Sequence, residues 1–126
     1  MRLLLALLLV FGSIIFIGFW TNHRLEASTD RLLEEIKSIT EDVRQDNWQG
    51  AMEKTTGLEK AWKENEKWWT MILDHQEIDN IEFAMAKFKE YLASRDTALS
   101  RGELSVLQAM IKHIPEKENV SLKNIL

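Results

Sequence analysis

The sequence predicts an all-α protein in which one N-terminal transmembrane helix continues into an antiparallel bundle of about four helices. Three observations predict this class. Residues 3–20 form an uncharged apolar run, apolar residues then recur in steps of three and four, and no segment shows the alternation typical of a strand. Residues 1–21 are therefore expected to form a membrane anchor, and residues 22–126 a helical soluble domain.

The apolar run from Leu3 to Trp20 has the length of a membrane span. As a helix it would measure about 27 Å, close to the ~30 Å hydrocarbon core of a bilayer, and Trp20 ends it where interfacial aromatic residues are enriched. The alternative is a cleaved signal peptide with Arg2 as its basic start. The run is too long for such a peptide and no A-x-A site follows it, so a single-pass anchor in the cell membrane is expected.

Two features of the sequence favour opposite orientations of the anchor. Arg24, Arg31 and Lys37 lie just beyond the span, and by charge alone they favour a soluble domain on the cytoplasmic side. The two-residue head before the span leaves almost nothing to translocate, which favours export of the long C-terminal part instead. We expect an extracytoplasmic soluble domain.

A heptad stripe follows the span directly. Its members are Leu25, Thr29, Leu32, Ile36, Ile39 and Val43. These positions share one face of a helix, and neither Pro nor Gly separates them from the span. The sequence therefore predicts one continuous helix from about Leu3 to Arg44.

The second helix is predicted from a tryptophan stripe. Trp48, Thr55, Trp62 and Trp69 recur every seven residues, and Ala51, Leu58, Asn65 and Ile72 follow each by three. Large residues opposite small ones are typical of close helix packing, so we expect the tryptophan stripe to be buried. Asp46 and Gln49 resemble a capping box, which predicts that the helix starts there.

Two further helices are predicted by the same reasoning. Asp74 with Glu77 predicts the start of the third, whose apolar stripe is Ile78, Ile81, Met85, Phe88 and Leu92. Ser100 with Glu103 predicts the start of the fourth, which carries Leu104, Leu107, Ile111 and Ile114 and is expected to end before Pro115. Leu122, Ile125 and Leu126 are expected to form a short turn docked on the domain.

Composition excludes several classes of site. Beyond Trp20 the chain carries 15 Lys and Arg against 20 Asp and Glu, and this acidic balance disfavours nucleic-acid binding because phosphates are repelled. The chain contains no cysteine, which excludes disulfides, thiolate metal sites and a cysteine nucleophile. His75 and Asp79 share a helix face, but two ligands without a third do not make a zinc site. No metal or other cofactor is expected.

A resemblance to a known family rests on a combination of segments. These are the N-terminal span, the Trp-rich second helix, Trp68-Trp69 followed by the segment Asp74-His75-Gln76-Glu77-Ile78-Asp79-Asn80-Ile81, and the ending from His113-Ile114-Pro115-Glu116 to Ser121–Leu126. In this combination the chain resembles the domain of unknown function 4363 family, small membrane-anchored proteins of Gram-positive, often spore-forming bacteria. The resemblance implies a membrane location and a link to envelope or sporulation-related membrane proteins. The family has no established activity, so no catalytic residue carries over.

These observations favour a non-enzymatic interaction or accessory module of the bacterial cell envelope. Its expected partners are the lipid bilayer and another membrane protein or a second copy of the chain. A helical sensor or small-ligand-binding domain working with a membrane partner is the alternative. The candidate contacts are Leu25 and Leu32, which lie open unless the bundle reaches down to cover them, and Trp68. Trp68 lies off the tryptophan stripe, where it is either an exposed contact or an extension of the buried face.

Overall fold

The computed structural model describes the backbone of residues 1–125 and the side chains of residues 1–116. It contains four helices: α1 (Arg2–Arg44), α2 (Trp48–Trp69), α3 (His75–Ala93) and α4 (Thr97–Ile125). No strand occurs among residues 1–125. The predicted all-α class, with an apolar N-terminal helix packed into a bundle, is confirmed.

The helices form an up-down bundle joined by short turns. α1 packs against both α2 and α4, α4 also packs against α3, and α2 and α3 are the more distant neighbouring pair. Because each turn is too short for a crossover, successive helices are antiparallel. The α1–α2 and α3–α4 turns therefore lie at the end far from the apolar run, whereas the α2–α3 turn lies at the end near it.

α1 is continuous from the apolar run to the far end of the bundle, as predicted. Its large apolar side chains are exposed up to Trp20, which is 54% exposed, and become buried from Leu25, which is 1% exposed. Ile39 and Val43 at the far end are fully buried. One helix thus carries two apolar surfaces, the first uncovered by protein and the second forming a wall of the core.

Leu25 and Leu32 are not open on the monomer. Both side chains are 1% exposed, so the expectation of an uncovered stripe near the anchor is wrong for this bundle. The reason is helix length. α2 has 22 residues and extends about 33 Å, which exceeds the ~27 Å between the levels of Val43 and Leu25 on α1. The neighbouring helices therefore reach down past Leu25.

The tryptophan stripe of α2 lies in the core. Trp62 and Trp69 are 3% and 0% exposed, and their rings meet edge to face with centroids 5.2 Å apart. Thr55 is also buried, whereas Trp48 at the start of the helix is half-buried. The predicted burial is confirmed for the last three positions of the stripe.

The α1–α2 turn is closed by a left-handed residue. Asp46 has a φ of 57°, and the N–H of Asn47 donates back to the carbonyl of Asp42 at 2.8 Å, the pattern of a Schellman motif. The Asn47 side chain then accepts the N–H of Gly50 at 3.2 Å. The predicted cap at Asp46 is therefore wrong by one residue, because Asp46 ends α1 and Asn47 begins α2.

The α3–α4 turn repeats this design. Arg95 has a φ of 56°, the N–H of Asp96 donates to the carbonyl of Tyr91 at 3.1 Å, and Asp96 Oδ1 accepts the N–H of Leu99 at 2.9 Å. The predicted cap at Ser100 is wrong, because Asp96 starts the helix earlier. Ser100 instead lies in the first turns of α4 and is fully buried.

α4 continues through Pro115 rather than ending before it. The helix runs to Ile125 with Pro115 inside it, although a proline removes one helical hydrogen bond and crowds the preceding turn. Ile111 and Ile114 are 0% and 3% exposed, so core packing holds the turn of the helix that precedes Pro115. The predicted turn at Leu122, Ile125 and Leu126 concerns side chains outside the described residues.

Two glycines of α2 give a matched test of packing at the helix start. A Cβ at Gly50 would lie 2.5 Å from Asn47 Nδ2 and 3.0 Å from Asp42 Oδ2, whereas a Cβ at Gly57 would meet no atom within 4 Å. We expect Gly57→Ala to raise the free energy of unfolding by about 0.5–1 kcal/mol through helix propensity. Gly50→Ala should show no such gain, because it displaces a cap worth about 1 kcal/mol. Urea unfolding in detergent, followed by circular dichroism, measures both, and equal gains would contradict the close contact at Gly50.

Trp62→Ala tests the core. Truncation of a buried large aromatic residue costs about 3–5 kcal/mol, and we expect the free energy of unfolding to fall by this amount. Phe83→Ala is the control, because Phe83 is 66% exposed and its loss should change stability little. Equal effects of the two substitutions would place Trp62 outside the core.

Candidate functional site at the anchor end of the bundle

Arg24 joins the end of the apolar run to the end of α2. Its guanidinium carbon lies 5.4 Å from the ring centroid of Trp20 and 5.4 Å from that of Trp68. Trp20 lies one helical turn before Arg24 on the same face of α1, and Trp68 is the penultimate residue of α2. Each cation–π contact at an exposed site contributes about 0.5–1 kcal/mol. We call these residues the Trp20–Arg24–Trp68 stack.

Trp68 was expected to be either an exposed contact or an extension of the buried face, and its position has features of both. It is half-buried and packs against the core, so it widens the buried face, yet its ring also meets the exposed Arg24. Its ring contacts Trp69 edge to face at 5.9 Å, and its Nε1–H donates to Asn65 Oδ1 at 3.3 Å. Trp68 is thus the outermost of a row of indoles that leads from the surface into the core.

An open groove lies between α2 and α3, the more widely spaced pair. Its lining residues are Glu59, Trp62, Lys63, Glu82, Met85, Ala86 and Lys89. The Nε1–H of Trp62 donates to Glu82 Oε1 at 3.4 Å, and Lys89 Nζ lies 3.0 Å from Glu59 Oε1. Glu59 on α2 therefore pairs across the groove with Lys89 on α3.

A pair of carboxyl groups, Glu66 on α2 and Glu82 on α3, also joins these two helices. Burial raises the pKa of Glu66 above its ordinary value, and both the charge of Glu82 and a hydrogen bond to that carboxyl raise it further, while Lys63 acts in the opposite direction. Two carboxyl groups in contact favour a shared proton because both cannot carry charge cheaply. No signal in the sequence singles out this pair, because it forms only once α2 and α3 are side by side.

The start of α3 carries the residues considered for a metal. The Asp74 side chain accepts the N–H of Gln76 at 3.3 Å, which confirms the predicted cap. His75 and Asp79 follow it and are exposed. Among the side chains of residues 1–116, no group of three or more His, Asp or Glu residues is placed to hold a metal ion.

Comparison with known proteins gives one match. A family model described as Domain of unknown function (DUF4363) matches residues 19–125. The chain belongs to this family. The match begins at the end of the apolar run and extends over the rest of α1 and all of α2, α3 and α4, so in this DUF4363 protein the matched region contains the whole bundle. No curated protein and no solved structure matches the chain.

Glu66→Gln tests the carboxyl pair of this DUF4363 protein. Because folding raises the pKa of Glu66, the folded state holds the proton more tightly than the unfolded state, and stability falls as pH rises from the ordinary carboxyl pKa through the raised one. A neutral Gln removes that loss. We expect the variant to unfold at a higher urea concentration than the parent at about pH 7, with a smaller difference at about pH 4, where the carboxyl is largely protonated.

The matched control is Glu64→Gln, an exposed carboxyl on the same helix. It removes the same charge from α2 but leaves the contact between Glu66 and Glu82 unchanged. It therefore distinguishes an effect of this contact on stability from an effect of the net charge of the domain. An identical pH dependence for the two variants would contradict the proposed proton sharing.

Proposed function

We propose that the chain is a single-pass membrane protein whose bundle stands at the bilayer surface on the extracytoplasmic side. The observation that carries this proposal is the composition and exposure of α1. The helix is long and apolar enough to cross a membrane, and none of its most apolar window is buried by the rest of the protein. Exposed side chains such as Leu3 at 79% and Phe16 at 70% would be costly in water, whereas a lipid environment solvates them.

We further propose that the bundle is a non-enzymatic interaction module of the cell envelope that binds another membrane protein or a second copy of the chain. An exposed aromatic side chain supports this role. Phe83 projects from α3 with 66% of its side chain exposed, and exposed aromatic residues are favoured at protein interfaces. The continuous α1 would hold this face at a fixed orientation relative to the bilayer.

A sensor or ligand-binding role is the second candidate, and the groove between α2 and α3 favours it. The carboxyl of Glu82 lines this groove beside the ring of Trp62, and it contacts the carboxyl of Glu66. A small cation with an apolar body would complement two carboxyls beside an indole. Such a ligand would change the spacing of α2 and α3, which a membrane partner would then detect.

Site-specific crosslinking in native membranes tests the interaction role. A photoreactive phenylalanine analogue in place of Phe83 should give one discrete adduct, either at twice the mass of the chain or with one membrane protein. The same analogue in place of the exposed Lys60 on α2 is the control and should give none. Adducts at neither position, or equal adducts at both, would contradict an interface at Phe83. Recovery of the chain in the soluble fraction after membranes are pelleted would contradict the anchor itself.

A further inference from the structure

The guanidinium of Arg24 is held by aromatic rings but not by a carboxylate. The ion pairs formed within residues 1–116 do not include Arg24, and its side chain is exposed. Trp20 and Trp68 contact the group through their ring faces. These ring contacts are electrostatic and engage no carboxylate, so the N–H donors of the guanidinium can bind an anion.

The stack lies at the depth of lipid phosphates if the anchor spans the bilayer as proposed above, and the inference rests on that proposal. Arg24 follows Trp20 by four residues, which is about 6 Å along the helix. The headgroup region of one leaflet extends about 5–7 Å beyond the hydrocarbon core. The α2–α3 turn at the same end of the bundle presents Met71, which is 85% exposed, so an apolar side chain accompanies the cation there.

We propose that the Trp20–Arg24–Trp68 stack is a binding site for the phosphate of an anionic phospholipid headgroup. A planar guanidinium donates two parallel hydrogen bonds to phosphate oxygens, and the two indoles hold this group between α1 and α2. An anionic headgroup is favoured over a zwitterionic one because the latter brings its own cation beside the phosphate. The site joins two elements of the protein, so a bound lipid would tie the end of α2 to the span.

Lipid exchange in vesicles tests the site with the full chain. The protein is reconstituted in mixed phosphatidylglycerol and phosphatidylcholine vesicles, extracted in mild detergent, and the lipids retained per chain are counted by native mass spectrometry. We expect retention of phosphatidylglycerol over phosphatidylcholine. Arg24→Gln should lower that preference about fivefold, the factor for removal of one juxtamembrane basic side chain. Arg24→Lys should also lower it, because an ammonium keeps the charge but loses the stacked planar fork.

The control variant is Arg31→Gln, which removes the same charge from the same helix. Arg31 lies further from the span and contacts Glu35 at 3.9 Å, so its loss should leave the retained lipid unchanged. Equal retention by the parent and Arg24→Gln, or full retention by Arg24→Lys, would overturn the proposal. Displacement of bound lipid by inorganic phosphate, with no preference between the two lipids, would overturn the assignment to a lipid.

Flotation of the vesicles separates this inference from the proposed anchor. All variants should float with the vesicles, because residues 3–20 are unchanged in each. If the chains float and the retained lipid does not depend on Arg24, the phosphate site is wrong and the anchor stands. If the parent chain does not float, the proposed anchor is wrong, and the phosphate site that depends on it is wrong as well.

Discussion

The buried stripe of α1 from Leu25 to Val43 is the constraint on which the rest of the structure depends. α2 and α4 both pack against it, and α3 completes the core through its contacts with α4. Burial of each such Leu or Ile side chain contributes about 1.5–3 kcal/mol, which exceeds what capping or surface ion pairs supply. Because the stripe begins five residues after Trp20, the bundle can cover it only by standing close to the end of the apolar run.

The number and course of the helices were predictable because apolar periodicity reports which side chains are buried. The stripes containing Trp62, Trp69 and Phe88 were identified from spacing alone and lie in the core. The helix ends were less predictable. Asp46 and Arg95 adopt left-handed backbone where glycine is the usual residue, so the sequence does not indicate which residue ends α1 or α3. The helix α4 also continues through Pro115, against the local preference of proline.

The candidate sites depend on which helices become neighbours, and periodicity within one helix does not contain that information. Arg24 was read from the sequence as a charge flanking the span, which says nothing of the indole of Trp68 on α2. The pair of Glu66 and Glu82 has no counterpart in the sequence pattern, because its two members lie on α2 and α3. The sequence did identify Trp68 as unusual, since it falls off the heptad stripe. That signal indicated a special position without indicating its neighbour.

Because α1 is one continuous helix from the apolar run into the bundle, a tilt of the run also tilts the bundle. From Trp20 to Arg44 the helix extends about 36 Å, and transmembrane helices tilt on average about 20° from the bilayer normal. A tilt of that size would move the far end of the bundle sideways by about 12 Å. The interfacial residues that set the tilt of a span, such as Trp20, would in this way also set the lateral position of the bundle above the membrane surface.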